Sequence, residues 1–252
     1  MTKARPVLEV RSVVASRGGR RVLDRVSCAI TAGEIVAVVG PNGAGKTTLL
    51  EAIAGAVPIA DGQVLAGGRA FASLADRARW LGHLAGEAEP PLEARVGTVI
   101  GRAAGDDAWI RTLETRLELG SLREARLGSL SRGERRRTLL FEALASPKPF
   151  LLLDEPTGVF DPLQLLDIID LLRETAARNV GLLVTVHQMS DAEALASRVL
   201  VLDRGRTVAS GSMADLRQQA RVPASASLHE TFLALLRAER RAPDEGTAQR
   251  EA

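Results

Sequence analysis

The strongest constraint on this chain is one octapeptide, Gly40-Pro41-Asn42-Gly43-Ala44-Gly45-Lys46-Thr47. It fits the pattern G-x-x-x-x-G-K-[ST], and it stands in the context that this pattern needs in order to bind phosphate. Before it runs a short apolar stretch, residues 34–39, bounded by Gly33 and Gly40 and too short for a helix. After it, Thr47, Leu50, Ile53 and Ala54 recur at helical spacing. The local expectation is a buried strand, a glycine-rich turn and a helix. Glycines let successive backbone N–H groups converge on phosphate oxygens, and the helix N-terminus adds partial positive charge. Lys46 would reach the β- and γ-phosphates and Thr47 would ligate magnesium, with Thr48 completing the loop. Only three lysines occur in the chain, Lys3, Lys46 and Lys148. Chance placement of the four fixed positions is on the order of a few per thousand at this composition.

Around this unit the chain alternates. Residues 7–14 are apolar and β-branched, and 22–30 read as a second strand after the turn-forming pair Gly18-Gly19, which predicts an antiparallel start. Residues 90–146 lack strand-like runs; Leu113, Leu117 and Leu119, and then residues 131–146, follow helical spacing. Beyond them the apolar runs 150–153, 181–185 and 199–203 alternate with helical stretches 162–178 and 190–196. That alternation predicts a parallel sheet covered on both faces. Past Gly211 the pattern is weak until Leu228, Phe232, Leu235 and Leu236 mark an amphipathic helix, and the polar end 242–252 is expected to fray.

The run 150–153 ends in Asp154-Glu155-Pro156. Two carboxylates at the carboxyl end of a buried parallel strand lie where such a sheet binds its ligand. Asp154 suits the magnesium side, and Glu155 could orient or deprotonate a water attacking the γ-phosphate.

Between these two segments lies Leu130-Ser131-Arg132-Gly133-Glu134, and the three together resemble the defining motifs of ABC transporter ATPases. Thr157-Gly158-Val159-Phe160-Asp161 resembles the D-loop of that family, and His187 falls where it has its switch histidine. The resemblance covers about residues 5–215. It implies ATP and Mg2+ as ligands and a head-to-tail pair of ATP-binding subunits, as a homodimer or a heterodimer. Each ATP would lie between the phosphate loop of one subunit and the signature motif of the other. Ser131 and Gly133 would then contact the γ-phosphate across the pair, Asp161 would join the nucleotide site, and His187 would act with Glu155.

Several positions depart from the family pattern. The segment Trp80-Leu81-Gly82-His83-Leu84-Ala85-Gly86 lies where the family has its Q-loop, yet no glutamine is present; His83, Gly86, Glu87 or a plain loop remain open. Arg132 replaces the first signature glycine, and Glu134 the usual glutamine. A basic residue at that position resembles the exporter branch; together with His83 in place of a tyrosine and the missing adenine-stacking aromatic, it resembles the drug-type and haem-type exporters. No tyrosine occurs in the chain, and Ala15-Ser16-Arg17-Gly18-Gly19 lacks the aromatic that usually stacks on adenine. Arg17 could stack its guanidinium there, or it could be a solvated arginine.

Composition narrows the remaining classes. With 33 Lys+Arg against 31 Asp+Glu the charge is near balance, which gives no reason to invoke nucleic acid. The cluster Arg132, Arg135, Arg136 and Arg137 has no interleaved aromatics and reads as a solvated helix start. No apolar run approaches the roughly 18 residues of a membrane span. The single Cys28 reads as a small buried residue.

The expectation is therefore an α/β P-loop NTPase core of the ABC type, with an N-terminal antiparallel β portion and an inserted helical subdomain at about 84–146. The ATP-binding domain would span 1–219 and a helical tail 220–252. Such a chain would hydrolyse ATP at the cytoplasmic face of a membrane and power an integral membrane permease on a separate chain, with export favoured. A groove near residues 81–87 is expected to receive a helix of that permease, with Leu84 either an anchor on it or a member of the subdomain core. The rival readings are a regulatory ATP-binding partner with little hydrolysis and a soluble ABC ATPase unconnected with transport.

Overall fold

The computed structural model describes residues 5–86 and 91–241. Strand β3 (Ile35–Val39) is buried along its whole length, as the unbroken apolar run requires. It is the third strand of a six-stranded sheet of order β10-β9-β3-β8-β7-β6. The others are β6 (Leu81–Leu84), β7 (Phe150–Asp154), β8 (Gly181–Thr185), β9 (Arg198–Asp203) and β10 (Arg206–Gly211). β9, β3, β8, β7 and β6 run parallel, and β10 closes one edge antiparallel to β9.

A second, antiparallel sheet of order β2-β1-β4-β5 comprises β1 (Val7–Arg17), β2 (Arg20–Thr31), β4 (Ile59–Ala66) and β5 (Arg69–Ala70). β1 and β2 are the expected hairpin, turning at Gly18-Gly19, with irregular register along β1. β4, β5, β6 and β10 have no counterpart among the apolar runs of the sequence. β6 has four residues, and its sequence includes a glycine and a histidine, so it offers no apolar run.

The helices are α1 (Lys46–Ala54), α2 (Leu74–Trp80), α3 (Val96–Gly101), α4 (Asp107–Arg116), α5 (Arg132–Leu144), α6 (Pro162–Ala177), α7 (Met189–Leu195), α8 (Met213–Ala220) and α9 (Leu228–Arg241). α3, α4 and α5, with two short 3-10 turns, fill the stretch between β6 and β7, matching the helical spacing there. α8, unpredicted, opens on a reciprocal Ser212–Asp215 capping box. In α9 the four expected apolar residues are buried, and the Leu228 N–H donates to Glu193 Oε1 of α7 at 2.7 Å. Residues 242–252 and Glu87 lie outside the described residues.

Period-2 alternation divides the core between the two faces of the parallel sheet. Ile35, Ala37, Val39, Leu151, Leu153 and Val184 join a cluster with α3–α7 and α9. Val36, Val38, Phe150, Leu152, Leu183 and Leu200 join another with α1 and the antiparallel sheet. Cys28 packs against the second cluster, where burial pushes its thiol up to about 12. Register sets up the site: Val38 pairs with both Thr185 and Leu200, Asp154 with Thr185, and Leu84 with Leu153. The carboxyl ends of β3, β8, β7 and β6 therefore share one edge, and the phosphate loop leaves from it.

Candidate active site

The loop from Gly40 to Thr47 is shaped by close approach. A Cβ on Gly40 would stand 2.2 Å from the Leu202 carbonyl oxygen of β9, so no larger residue fits. Gly45, in the left-handed region at φ 103°, caps α1 and makes no side-chain bond to it. The first N–H groups of α1 are thus not consumed by a side-chain cap, which suits an anion at that end. Lys46 is buried and donates from Nζ to the carbonyls of Gly40 (2.9 Å) and Pro41 (3.2 Å). Burial lowers its pKa, opposed by the charges of Glu155 and Asp154. Thr47 is half-buried and Thr48 buried. The β9–β10 turn braces the loop from behind, the Gly205 N–H donating to the Ala44 carbonyl at 2.9 Å.

Across the shared edge, Asp154 is buried at the last position of β7. Thr185, its register partner on β8, donates from Oγ1 to Asp154 Oδ1 and accepts the Glu155 N–H at 2.9 Å. Glu155 follows at φ 50°, in the left-handed region, and its Oε1 lies 2.6 Å from His187 Nε2. Just beyond, buried Thr157 donates to Asp191 Oδ2 at 2.9 Å, tying the segment after Glu155 to α7.

The arginine cluster at the start of α5 does not behave as a uniformly solvated face. Arg136 is 9 % exposed and donates to the carbonyls of Ala85 (3.2 Å), Asp154 and Glu155 (2.8 Å). Its spacing explains this: Arg136 lies four residues before Leu140 and seven before Ala143, in phase with the buried stripe of the helix.

The segment after β6 reaches the same place. A Cβ on Gly86 would stand 2.7 Å from Asp154 Oδ2, so glycine is what lets this loop lie against the carboxylate. His83 keeps a solvent-exposed edge, yet surrounding protein lowers its pKa, opposed by Asp154 and Glu51. Leu84 is not a surface anchor: it is 4 % exposed and belongs to the core shared with α3 and α5, because β6 turns that side chain inward. The groove beside it, about 410 Å³, is lined by His83, Ala85, Pro91, Leu139 and Glu142 among others.

Other predicted site residues stand apart. Ser131 caps α5 in a reciprocal box with Glu134, accepting its N–H at 3.3 Å, and a Cβ on Gly133 would meet nothing within 4 Å. Among the described residues neither makes a hydrogen bond to the phosphate loop. Asp161 caps α6, accepting the N–H groups of Leu163 and Gln164. Arg17 donates to Glu51 Oε1 of α1 at 3.3 Å.

A phosphate loop, an acidic strand end, a helix capped by the Leu130–Glu134 motif and a histidine against the acid thus occur in one fold. The family model described as ABC transporter matches residues 23–158, more than half of the chain. This chain belongs to the ABC transporter ATP-binding family. As a member of it, the chain is an ATPase. It is 38 % identical over 215 residues to the hemin import ATP-binding protein HmuV of Streptomyces coelicolor, covering 80 % of this chain and 76 % of the relative. It is 34 % identical over 223 residues to the lipopolysaccharide export system ATP-binding protein LptB of Acidithiobacillus ferridurans, covering 82 % and 90 %. The solved structure of an ABC transporter ATP-binding subunit superposes with a TM-score of 0.82 at 25 % identity, over 91 % of this chain and 99 % of that one. Two residues that bond the Asp154–Glu155 segment, Thr185 and Arg136, carry no motif in the sequence, where only the phase of Arg136 on α5 is legible.

Proposed function

We propose that the chain binds MgATP at the shared strand edge and hydrolyses it to drive a separate membrane permease. One observation carries the chemistry: Val38, at the end of the strand that leads into the phosphate loop, and Asp154, at the end of β7, both pair with Thr185 of β8, so the acidic strand end and the loop share one edge. The loop amides and Lys46 hold the β- and γ-phosphates. Thr47 and Asp154 fit a magnesium ion, since a buried carboxylate and a hydroxyl beside a phosphate loop are the hard oxygen donors that such an ion takes together with substrate phosphates. Bound there, magnesium supplies charge neutralisation on the phosphates. Glu155 orients and deprotonates the attacking water, and His187 holds its carboxylate and contacts the γ-phosphate.

Ser131 and Gly133 serve a second ATP-binding subunit. Their support is the exposed N-terminus of α5, where Gly133 has open space and the helix dipole favours an anion. Asp161, next to α6, belongs to the same contact. Arg17, held near α1 by Glu51, is the candidate for the adenine.

Among the described residues no helix is long and apolar enough to cross a membrane. The relatives' names, ATP-binding proteins of import and export systems, support a substrate path on another chain, with this subunit docked at its cytoplasmic face. Export is the favoured direction, on the basic residue Arg132; the relatives divide between import and export ATP-binding proteins. The test is ATP hydrolysis by the purified chain with and without its co-purified membrane partner. Turnover abolished by Lys46→Ala and raised by the partner is expected. Turnover below detection under both conditions, with ATP bound, would favour a regulatory role instead.

A further inference from the structure

We propose that Arg136 is a positioning residue for Glu155, linking the N-terminus of α5 to the catalytic carboxylate; this rests on Glu155 being the base. Glu155 is held from both sides along its main chain. Its N–H is fixed by Thr185 Oγ1 and its carbonyl by Arg136, which also takes the Asp154 carbonyl. A residue at φ 50° persists only where surrounding bonds over-determine it, and these are those bonds.

The choice of arginine matters. A guanidinium can address several acceptors in a fixed fork, whereas an ammonium is a point charge. Here the fork spans two elements, the end of β7 and Ala85 after β6. Burial lowers the Arg136 pKa, opposed by Asp154 and Glu155, so the charge is desolvated next to the two acids. An apolar residue in phase with Leu140 would pack at least as well, so stability alone gives no reason for a charge at this position.

The fork also carries information. Arg136 lies five residues after Ser131 on one rigid helix, about 7.5 Å along its axis. Any displacement of the α5 N-terminus on meeting a nucleotide must move the fork, and with it the Glu155 peptide. A carboxylate that acts on water loses activity steeply when misplaced, with about 1 Å costing up to 10²-fold.

The experiment measures kcat, KM and ATP affinity for Arg136→Met, Arg136→Lys, Thr185→Val and Thr185→Ser, each with Glu155 and with Glu155→Gln. Arg136→Met is expected to lower kcat roughly 10- to 10²-fold while ATP affinity changes by less than about twofold. Thr185→Ser should retain most activity and Thr185→Val should lose it. In the Glu155→Gln background, Arg136→Met should cause no further loss in single-turnover phosphate release, since residues acting through one group are non-additive. Equal further loss there, or an unchanged kcat beside Glu155, would overturn the proposal. Should Arg136→Met fail to fold, Arg136→Lys decides by the same criteria. If Glu155→Gln alone keeps wild-type turnover, the base assignment fails first, and the two failures are told apart.

Discussion

His187 Nε2 stands 2.6 Å from Glu155 Oε1, joining the end of β8 to the end of β7 through two side chains that both keep solvent access. A carboxylate and an imidazole at that separation work as one unit. Glu155→Gln should therefore retain ATP binding while lowering turnover by roughly 10²–10⁴. His187→Ala should lower it comparably, and the double variant little more than either. Phosphate release and nucleotide binding on the three variants check this; independent, multiplying losses would mean that the contact is incidental.

Gly86 gives a sharper expectation about the metal side. The Asp154 carboxylate cannot swing away from a new methyl group without leaving Thr185, since Oδ1 is engaged there and the methyl would press on Oδ2. Gly86→Ala should raise the magnesium concentration needed for half-maximal ATPase and cut turnover by roughly 10- to 100-fold, the usual cost of disturbing a group that supports a metal ligand. A magnesium titration reads this directly. An unshifted midpoint would show that the carboxylate has room to adjust.

Leu84 answers a different question. Buried among α3 and α5 residues, it should behave as core: Leu84→Ala should cost about 2–5 kcal/mol of stability, and Leu84→Asp more. Thermal unfolding measures the first. Loss of permease association in Leu84→Asp would then follow from unfolding, and docking is better tested at exposed Glu142 on the groove. A Leu84→Ala protein as stable as wild type would return the residue to the surface.

Shared sites predict complementation. Lys46→Ala and Ser131→Arg proteins should each be nearly inactive alone, and mixing them should restore turnover through heterodimers holding one intact composite site. Activity is compared after heterodimer formation is shown by differential tagging. A mixture no more active than its components would place both functions within one subunit.

How much of this was readable beforehand follows the range of the interactions. The phosphate loop, the acid pair and the strands β3, β7 and β8 are local: eight residues, or a five-residue apolar run, declare themselves. Thr185 is different, because its value lies in facing Asp154 across the sheet, 31 residues away. A threonine ending an apolar strand looks ordinary until the register is known. Arg136 is hidden among like charges, Arg132 and Arg135, although its phase with Leu140 and Ala143 is legible in the sequence. Leu84 stays open between groove and core in the sequence, because a resemblance locates the loop but not the strand β6 inside it.

The backbone of Glu155 sets chemistry against durability. Left-handed geometry costs a bulky residue roughly 1–2 kcal/mol, a noticeable share of the 5–15 kcal/mol that holds an ordinary domain together. Glycine or asparagine would sit at φ 50° with less penalty. Selecting variants of this chain for heat resistance alone would therefore favour replacement of the residue proposed as the base. A thermostabilised library screened without an ATPase readout should be enriched in well-folded, inactive proteins altered at position 155.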